Sequence, residues 1–171
     1  MGRYAPAAME QASHGRRAAL IALGGSIIAL GTAFASQYLG GLVPCELCIA
    51  QRWPYGAALV LALAALLVGG PVRRVLLSLA ALALAVDAGI ALYHAGFEYG
   101  WWQGPSACTA PSGAASSLDA LRAQLNATPV VACNRPAWTF AGISMAGFNF
   151  AWASLLFLLT AALTLRAARH A

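Results

Sequence analysis

Four stretches of this chain stay apolar long enough to cross a bilayer, which takes about 20 residues of helix. Residues 18–37 and 53–72 carry no charge, and residues 75–97 carry a single acid, Asp87. A fourth apolar run extends from Trp138 to Leu165, with Ser144 placed to cap a helix over its inner part. In lipid, a helix satisfies its own backbone polar groups, so the pattern predicts an all-α membrane protein. The expected architecture is a four-helix bundle forming a single domain over residues 1–171, with spans near 18–37, 53–72, 75–97 and 143–165. Pro6, small residues and the lack of any apolar period in the first dozen positions predict a disordered tail within residues 1–17.

Composition agrees with lipid as the main solvent. Hydrophobic residues make up 61% of the chain and charged residues 9%, against roughly a quarter charged in soluble domains. Mean hydropathy is +0.72. Ten arginines, no lysine and five acids give a net charge of +5. The arginines lie scattered beside apolar runs and form no basic stripe, which argues against a nucleic-acid partner. Their positions are more informative. Arg16, Arg17, Arg73, Arg74, Arg166 and Arg169 all fall on one side of a four-span arrangement, and the positive-inside rule makes that side cytoplasmic. Both termini are then cytoplasmic, and loops near 38–52 and 98–142 face the opposite compartment. A cleaved signal peptide is the alternative, with Arg16-Arg17, an apolar core and Ala33-Phe34-Ala35. The apolar run is longer than the usual h-region of 7–15 residues, which favours a retained span.

All four cysteines fall in or beside the two outer loops. Cys45 and Cys48 form a Cys-x-x-Cys pair, whereas Cys108 and Cys133 stand singly. The pair alone is ambiguous between redox chemistry and metal binding. A zinc site normally has four nitrogen or sulfur ligands, and no second Cys-x-x-Cys is present, so no metal is expected. Two structural disulfides remain the plain alternative in an oxidising compartment. Arg52 follows Cys48 by four residues and Cys45 by seven, which would put the three on one face of a continuous helix. A guanidinium there favours a thiolate, though Arg52 also suits a snorkelling anchor. Pro54 requires either a kink or a helix that begins near Trp53.

Gly and Pro around Cys108 predict a loop. Trp101 and Trp102 fit an interfacial aromatic belt, and Leu118, Leu121 and Leu125 mark one face of a short helix capped by Ser117. Asp87 and His94, seven apart, lie near one face of the third span. They could form a proton path, or Asp87 could be hydrogen-bonded within the bundle.

In combination, these motifs resemble the DsbB family of bacterial disulfide-bond formation proteins. They are Pro44-Cys45-Glu46-Leu47-Cys48 with Gln51-Arg52, Tyr93-His94-Ala95-Gly96, Gly104-Pro105 before Cys108, and Cys133 before Trp138, Phe140, Gly142 and Ser144. The resemblance covers essentially the whole chain. It implies a multi-pass inner-membrane thiol oxidase that reoxidises a periplasmic thioredoxin-fold, DsbA-like partner and passes electrons to membrane quinone, with ubiquinone favoured over menaquinone. It implies that Cys108 and Cys133 exchange with the partner, Cys108 taking the mixed disulfide. Cys45 and Cys48 would reoxidise that pair through a transient Cys45–Cys133 link. Cys48 would face the quinone, with Arg52, His94 and Gln51 around it. Some members carry an acid where Gln51 stands, so the neutral residue leaves the proton route open. A monomer is expected. The vitamin K epoxide reductase type is the nearest rival, but its loop cysteines precede the Cys-x-x-Cys, whereas here they follow it.

Overall fold

The computed structural model describes residues 4–103, 117–119, 122–123 and 131–169, with backbone alone at 4–8. Among these, four long helices account for the four apolar stretches: α1 (Tyr4–Tyr38), α3 (Arg52–Leu67), α4 (Gly70–Glu98) and α5 (Met145–Arg169). A short α2 (Glu46–Ala50) precedes α3, and a two-stranded hairpin, β1 (Thr139–Phe140) and β2 (Ile143–Ser144), precedes α5. Each long helix is apolar and long enough to span a membrane, α3 together with α2. The cyclic order is α1, α3, α4, α5, with α5 closing back on α1.

Small residues let these helices approach. The buried positions of α3 are Tyr55, Ala58, Ala62 and Ala65. Those of α4 include Leu77, Ala80, Leu84, Asp87, Ala91 and His94. Both sets recur at three- and four-residue spacing, the helical period. Without a hydrophobic force between helices in lipid, close backbone packing of this kind holds a bundle together. Gly25 shows it at α1: a Cβ there would overlap the Leu156 side chain of α5. The Trp152 indole also donates to the Gly25 carbonyl at 3.2 Å.

The boundaries differ from expectation in three places. The N-terminal segment expected to be a disordered tail is helical from Tyr4. Pro6 sits in the first turn, where its missing N–H costs nothing, and Ala, Met, Glu and Gln after it are good helix formers. The second span ends at Leu67 rather than near 72, and the third begins at Gly70 rather than 75. Gly70 takes φ +59°, and Pro71 opens α4. Hydropathy cannot see such a break because glycine, valine and proline interrupt the helix without adding charge. Arg73 seals the joint, its Nε donating to the carbonyls of Ala65 at 3.1 Å and Val68 at 2.8 Å. Those are the carbonyls that a helix C-terminus leaves open.

The third difference is the hairpin, where a loop and helix start had been expected. Ala141 and Gly142 both have positive φ, 50° and 79°, the geometry of a two-residue I′ turn. Ser144 does cap α5, its Oγ accepting from the Gly147 N–H at 3.1 Å. Helical backbone is present at 118–119 and 122–123. Leu121, Leu125 and Cys108 lie outside the described residues.

Candidate active site

The end of the bundle that carries the α1–α2 and α4–β1 connections gathers the chemistry. Cys45 is the N-cap of α2, and its sulfur accepts from the Cys48 N–H at 3.3 Å. One helical turn then places the Cys48 sulfur 3.0 Å from that of Cys45, with Cys45 donating. Gln51 links α2 to α3, and Pro54 falls in the first turn of α3. The kink-or-restart choice posed by Pro54 is therefore a restart. Arg52 opens α3 with its guanidinium carbon 4.8 Å over the ring of Phe34 on α1, a cation–π contact.

From α4 comes His94, only 2% exposed. Its Nε2 lies 3.5 Å from the Cys45 sulfur and 3.6 Å from Oε1 of Glu98, one turn further on. The Glu98 side chain is 4% exposed. Burial and the hydrogen bond to Cys48 push the Cys45 thiol up to about 12, the hydrogen bond being the larger cause. Cys133, 1% exposed, packs in one buried cluster with Cys45 and Phe97. The loop cysteine is thus brought to the pair, whereas Cys108 lies outside the described residues.

A cavity of about 290 Å³ opens beside these groups, between α1, α3 and α5. Its wall is mainly apolar, and Cys48, Gln51, Arg52, His94 and Glu98 all reach it. Around it, Gln51 Nε2, Arg52 Nε, His94 Nδ1 and Glu98 Oε2 are buried without a hydrogen-bond partner in the protein. Deeper in, the Tyr55 hydroxyl donates to Asn149 Oδ1 at 2.7 Å, and Asn149 Nδ2 donates to Asp87 Oδ2 at 3.1 Å. Asp87 is thus hydrogen-bonded within the bundle, through Asn149, while His94 faces Cys45 and Glu98.

A family model for the disulfide bond formation protein DsbB matches residues 15–163. The chain belongs to the DsbB family. That makes it a multi-pass membrane protein of disulfide-bond formation. Protein RP370 of Rickettsia prowazekii (strain Madrid E), itself uncharacterized, is 30% identical over 128 residues. The match covers 72% of this chain and 73% of the Rickettsia protein. No solved structure matches.

Cys45, Cys48, Gln51, Arg52 and His94, the residues singled out in the sequence, all lie at or beside one cavity. Sequence reasoning missed Glu98. Its one signal was the four-residue spacing from His94, which only matters once the helix is known to continue that far. Tyr99 was missed too. Its hydroxyl accepts from the Ser144 N–H at 3.0 Å and donates to the Gly142 carbonyl at 3.2 Å, pinning the hairpin to the end of α4.

That end of α4 is itself firmly closed. The N–H of Gly100 reaches the Phe97 carbonyl at 3.2 Å and that of Trp101 reaches Gly96 at 2.8 Å, with Gly100 at φ +72°. This is a Schellman motif. It fixes where the chain leaves the helix, immediately after the His94–Glu98 pair.

Proposed function

We propose that this DsbB-family protein is a protein-dithiol:quinone oxidoreductase of the bacterial inner membrane. It reoxidises a periplasmic thioredoxin-fold donor of the DsbA type and passes the electrons to membrane quinone, ubiquinone before menaquinone. The observation that carries this reading is Cys48, a member of the thiol pair, on the wall of an apolar cavity ringed by unpartnered polar atoms. The cavity suits a flat ring with two carbonyl oxygens. Its volume is near the lower end of ligand sites, about 300–1,000 Å³, and it is partly open, leaving room for an apolar tail. Gln51 Nε2 and Arg52 Nε are donors without acceptors, which a carbonyl oxygen would satisfy.

The resemblance to the family supplies the roles. A partner thiolate attacks the Cys108–Cys133 disulfide at Cys108, forming the mixed disulfide and freeing Cys133. The partner's second thiolate then displaces Cys108, so that the partner leaves oxidised. Cys133, packed with Cys45, attacks the Cys45–Cys48 disulfide at Cys45 and frees Cys48. Cys108 then attacks Cys133, re-forming Cys108–Cys133 and releasing Cys45, and the Cys45–Cys48 dithiol is reoxidised by the quinone. In that last step the dithiol loses two electrons and two protons, and the quinone takes up both to become hydroquinone. Energetics support an external oxidant. DsbA-type donors sit near about −120 mV and ordinary exchange-active disulfides near about −200 mV, so the uphill transfer costs about 3.7 kcal/mol. A relay made of thiols alone does not sustain that. The arginine distribution supports cytoplasmic termini, with the cysteines on the periplasmic side.

The test is quinone reduction by the purified full-length protein, supplied with a reduced thioredoxin-fold donor. Wild type should turn over and Cys48→Ser should lose at least a hundredfold of that rate while staying folded. A well-folded wild type that reduces neither ubiquinone nor menaquinone would return the cysteines to a structural role.

A further inference from the structure

We propose that Glu98, reached through His94, is the proton-accepting group of the thiol-to-quinone step, in a cavity whose neighbouring Gln51 is neutral. This rests on the reading above and names a residue that no part of it requires. Oxidation of the Cys45–Cys48 dithiol releases two protons, and reduction of a quinone to hydroquinone consumes two. The site therefore needs a group that receives a proton from sulfur and gives it up at the cavity.

The geometry supplies a short path. Cys45 holds its sulfur 3.5 Å from His94 Nε2, and the Glu98 carboxylate lies 3.6 Å from the same nitrogen. Glu98 belongs to the cavity wall, its side chain 4% exposed and its Oε2 without a hydrogen-bond partner in the protein. A carboxylate buried at such cost needs a reason to stay. Gln51, on the wall supplied by the α2–α3 junction, has an amide that cannot accept and release a proton at neutral pH.

The ionisable groups that face Glu98 come from every side. His94 lies on its own helix; Cys45 and Cys48 lie at α2; Arg52 and Tyr55 line the cavity from α3. From the α5 side the neighbour is the Ser144 hydroxyl. Among these only Arg52 is permanently positive, and its guanidinium is stacked on Phe34. Glu98 is the carboxylate in contact with His94. In the step, the Cys45 thiol passes its proton to His94 Nε2 and His94 passes it on to Glu98, while Cys48, on the cavity wall, gives up its own proton there directly. Glu98 would release its proton at Oε2 into the cavity, so that the two protons lost by the dithiol equal the two needed to form a hydroquinone.

The experiment measures quinone reduction from about pH 5 to pH 9 with a reduced thioredoxin-fold donor, in full-length wild type, Glu98→Gln and the swap variant Gln51→Glu/Glu98→Gln. Formation of the mixed disulfide with the donor is followed in parallel. Glu98→Gln should slow quinone turnover about tenfold or more, within the usual range for general acid–base groups. It should also lose the acid limb of the pH profile and leave mixed-disulfide formation unchanged. The swap variant should recover most of the rate, together with an acid limb. Its cavity keeps one carboxylate, so it reads the proposal even where Glu98→Gln alone accumulates poorly. A wild-type pH profile in Glu98→Gln overturns the inference, as does a folded swap variant that forms the mixed disulfide and stays slow. Absence of quinone reduction by the wild type overturns the functional reading itself, and is told apart by that control.

Discussion

Two sulfurs three residues apart behave differently here because their surroundings do. Cys45 is buried and donates to Cys48, which holds its thiol protonated far above the ordinary value of 9.0. Cys48 is half-buried and opens on the cavity. Iodoacetamide should therefore modify Cys48 well before Cys45 in the reduced protein at neutral pH, as peptide mass spectrometry would show. Equal labelling would contradict the donor–acceptor assignment. The same shift has a stability sign. A raised folded value means the contribution is whole below pH 9.0 and is lost as pH climbs through about 12. Thermal unfolding of the reduced protein should thus fall more steeply above pH 9.0 in the wild type than in Cys45→Ser. Asn149 is the other decisive residue. It serves both Tyr55 and Asp87, which also lie close enough to pair with each other, so Asn149→Ala removes two buried hydrogen bonds at a cost of about 0.5–1.5 kcal/mol each. Thermal unfolding in detergent measures that cost; a loss below about 0.5 kcal/mol would mean that another partner or water replaces Asn149.

Elements were legible to different degrees. The apolar stretches announced all four long helices because a spanning helix must be apolar along its length. Their ends were read less well. The Gly69-Gly70-Pro71 joint carries no charge, so hydropathy ran through it, and the helical N-terminus was masked by a proline that turns out to sit in the first turn. Ser144 was read as a cap from residue type alone, and its side chain does cap Gly147. The hairpin before it was hidden, since Ala141 at φ 50° is not a residue that advertises a turn. Helix contacts were hidden as well. Gly25 gave no sign in the sequence that Leu156 leans against it. Gly25→Val should separate α1 from α5 and destabilise the bundle by about 1–3 kcal/mol, the usual cost of overpacking. A variant with wild-type unfolding temperature would show that the two helices part freely.

At the scale of the whole molecule, placement in the membrane carries the function. The arginine pairs inside α1 (Arg16 and Arg17), at the α3–α4 joint and at the α5 end should hold both termini in the cytoplasm. A phosphatase reporter active only in the periplasm should be silent when fused after Arg169 and active when inserted in the α4–α5 loop; the reverse pattern would invert the bundle. If the reporter places the cysteines outside, the apolar cavity lies at the outer end of the bundle, where the proposed lipid-soluble oxidant and water-soluble partner would both reach the sulfurs.

The sequence by itself determined the four apolar helices, the placing of the Cys-x-x-Cys pair in the connection after the first of them, and the family. Each depends on local pattern: apolar length, charge at the ends of spans, and residues at fixed short spacings. Only the tertiary structure decided that Cys45 meets His94 across 49 positions of chain. It also decided that Asp87 turns to Asn149 rather than to His94, and that Glu98 shares the cavity with Gln51. Those outcomes depend on how each helix is rotated about its own axis when small residues pack. That rotation is set by contacts between distant segments, which no periodicity within one segment contains.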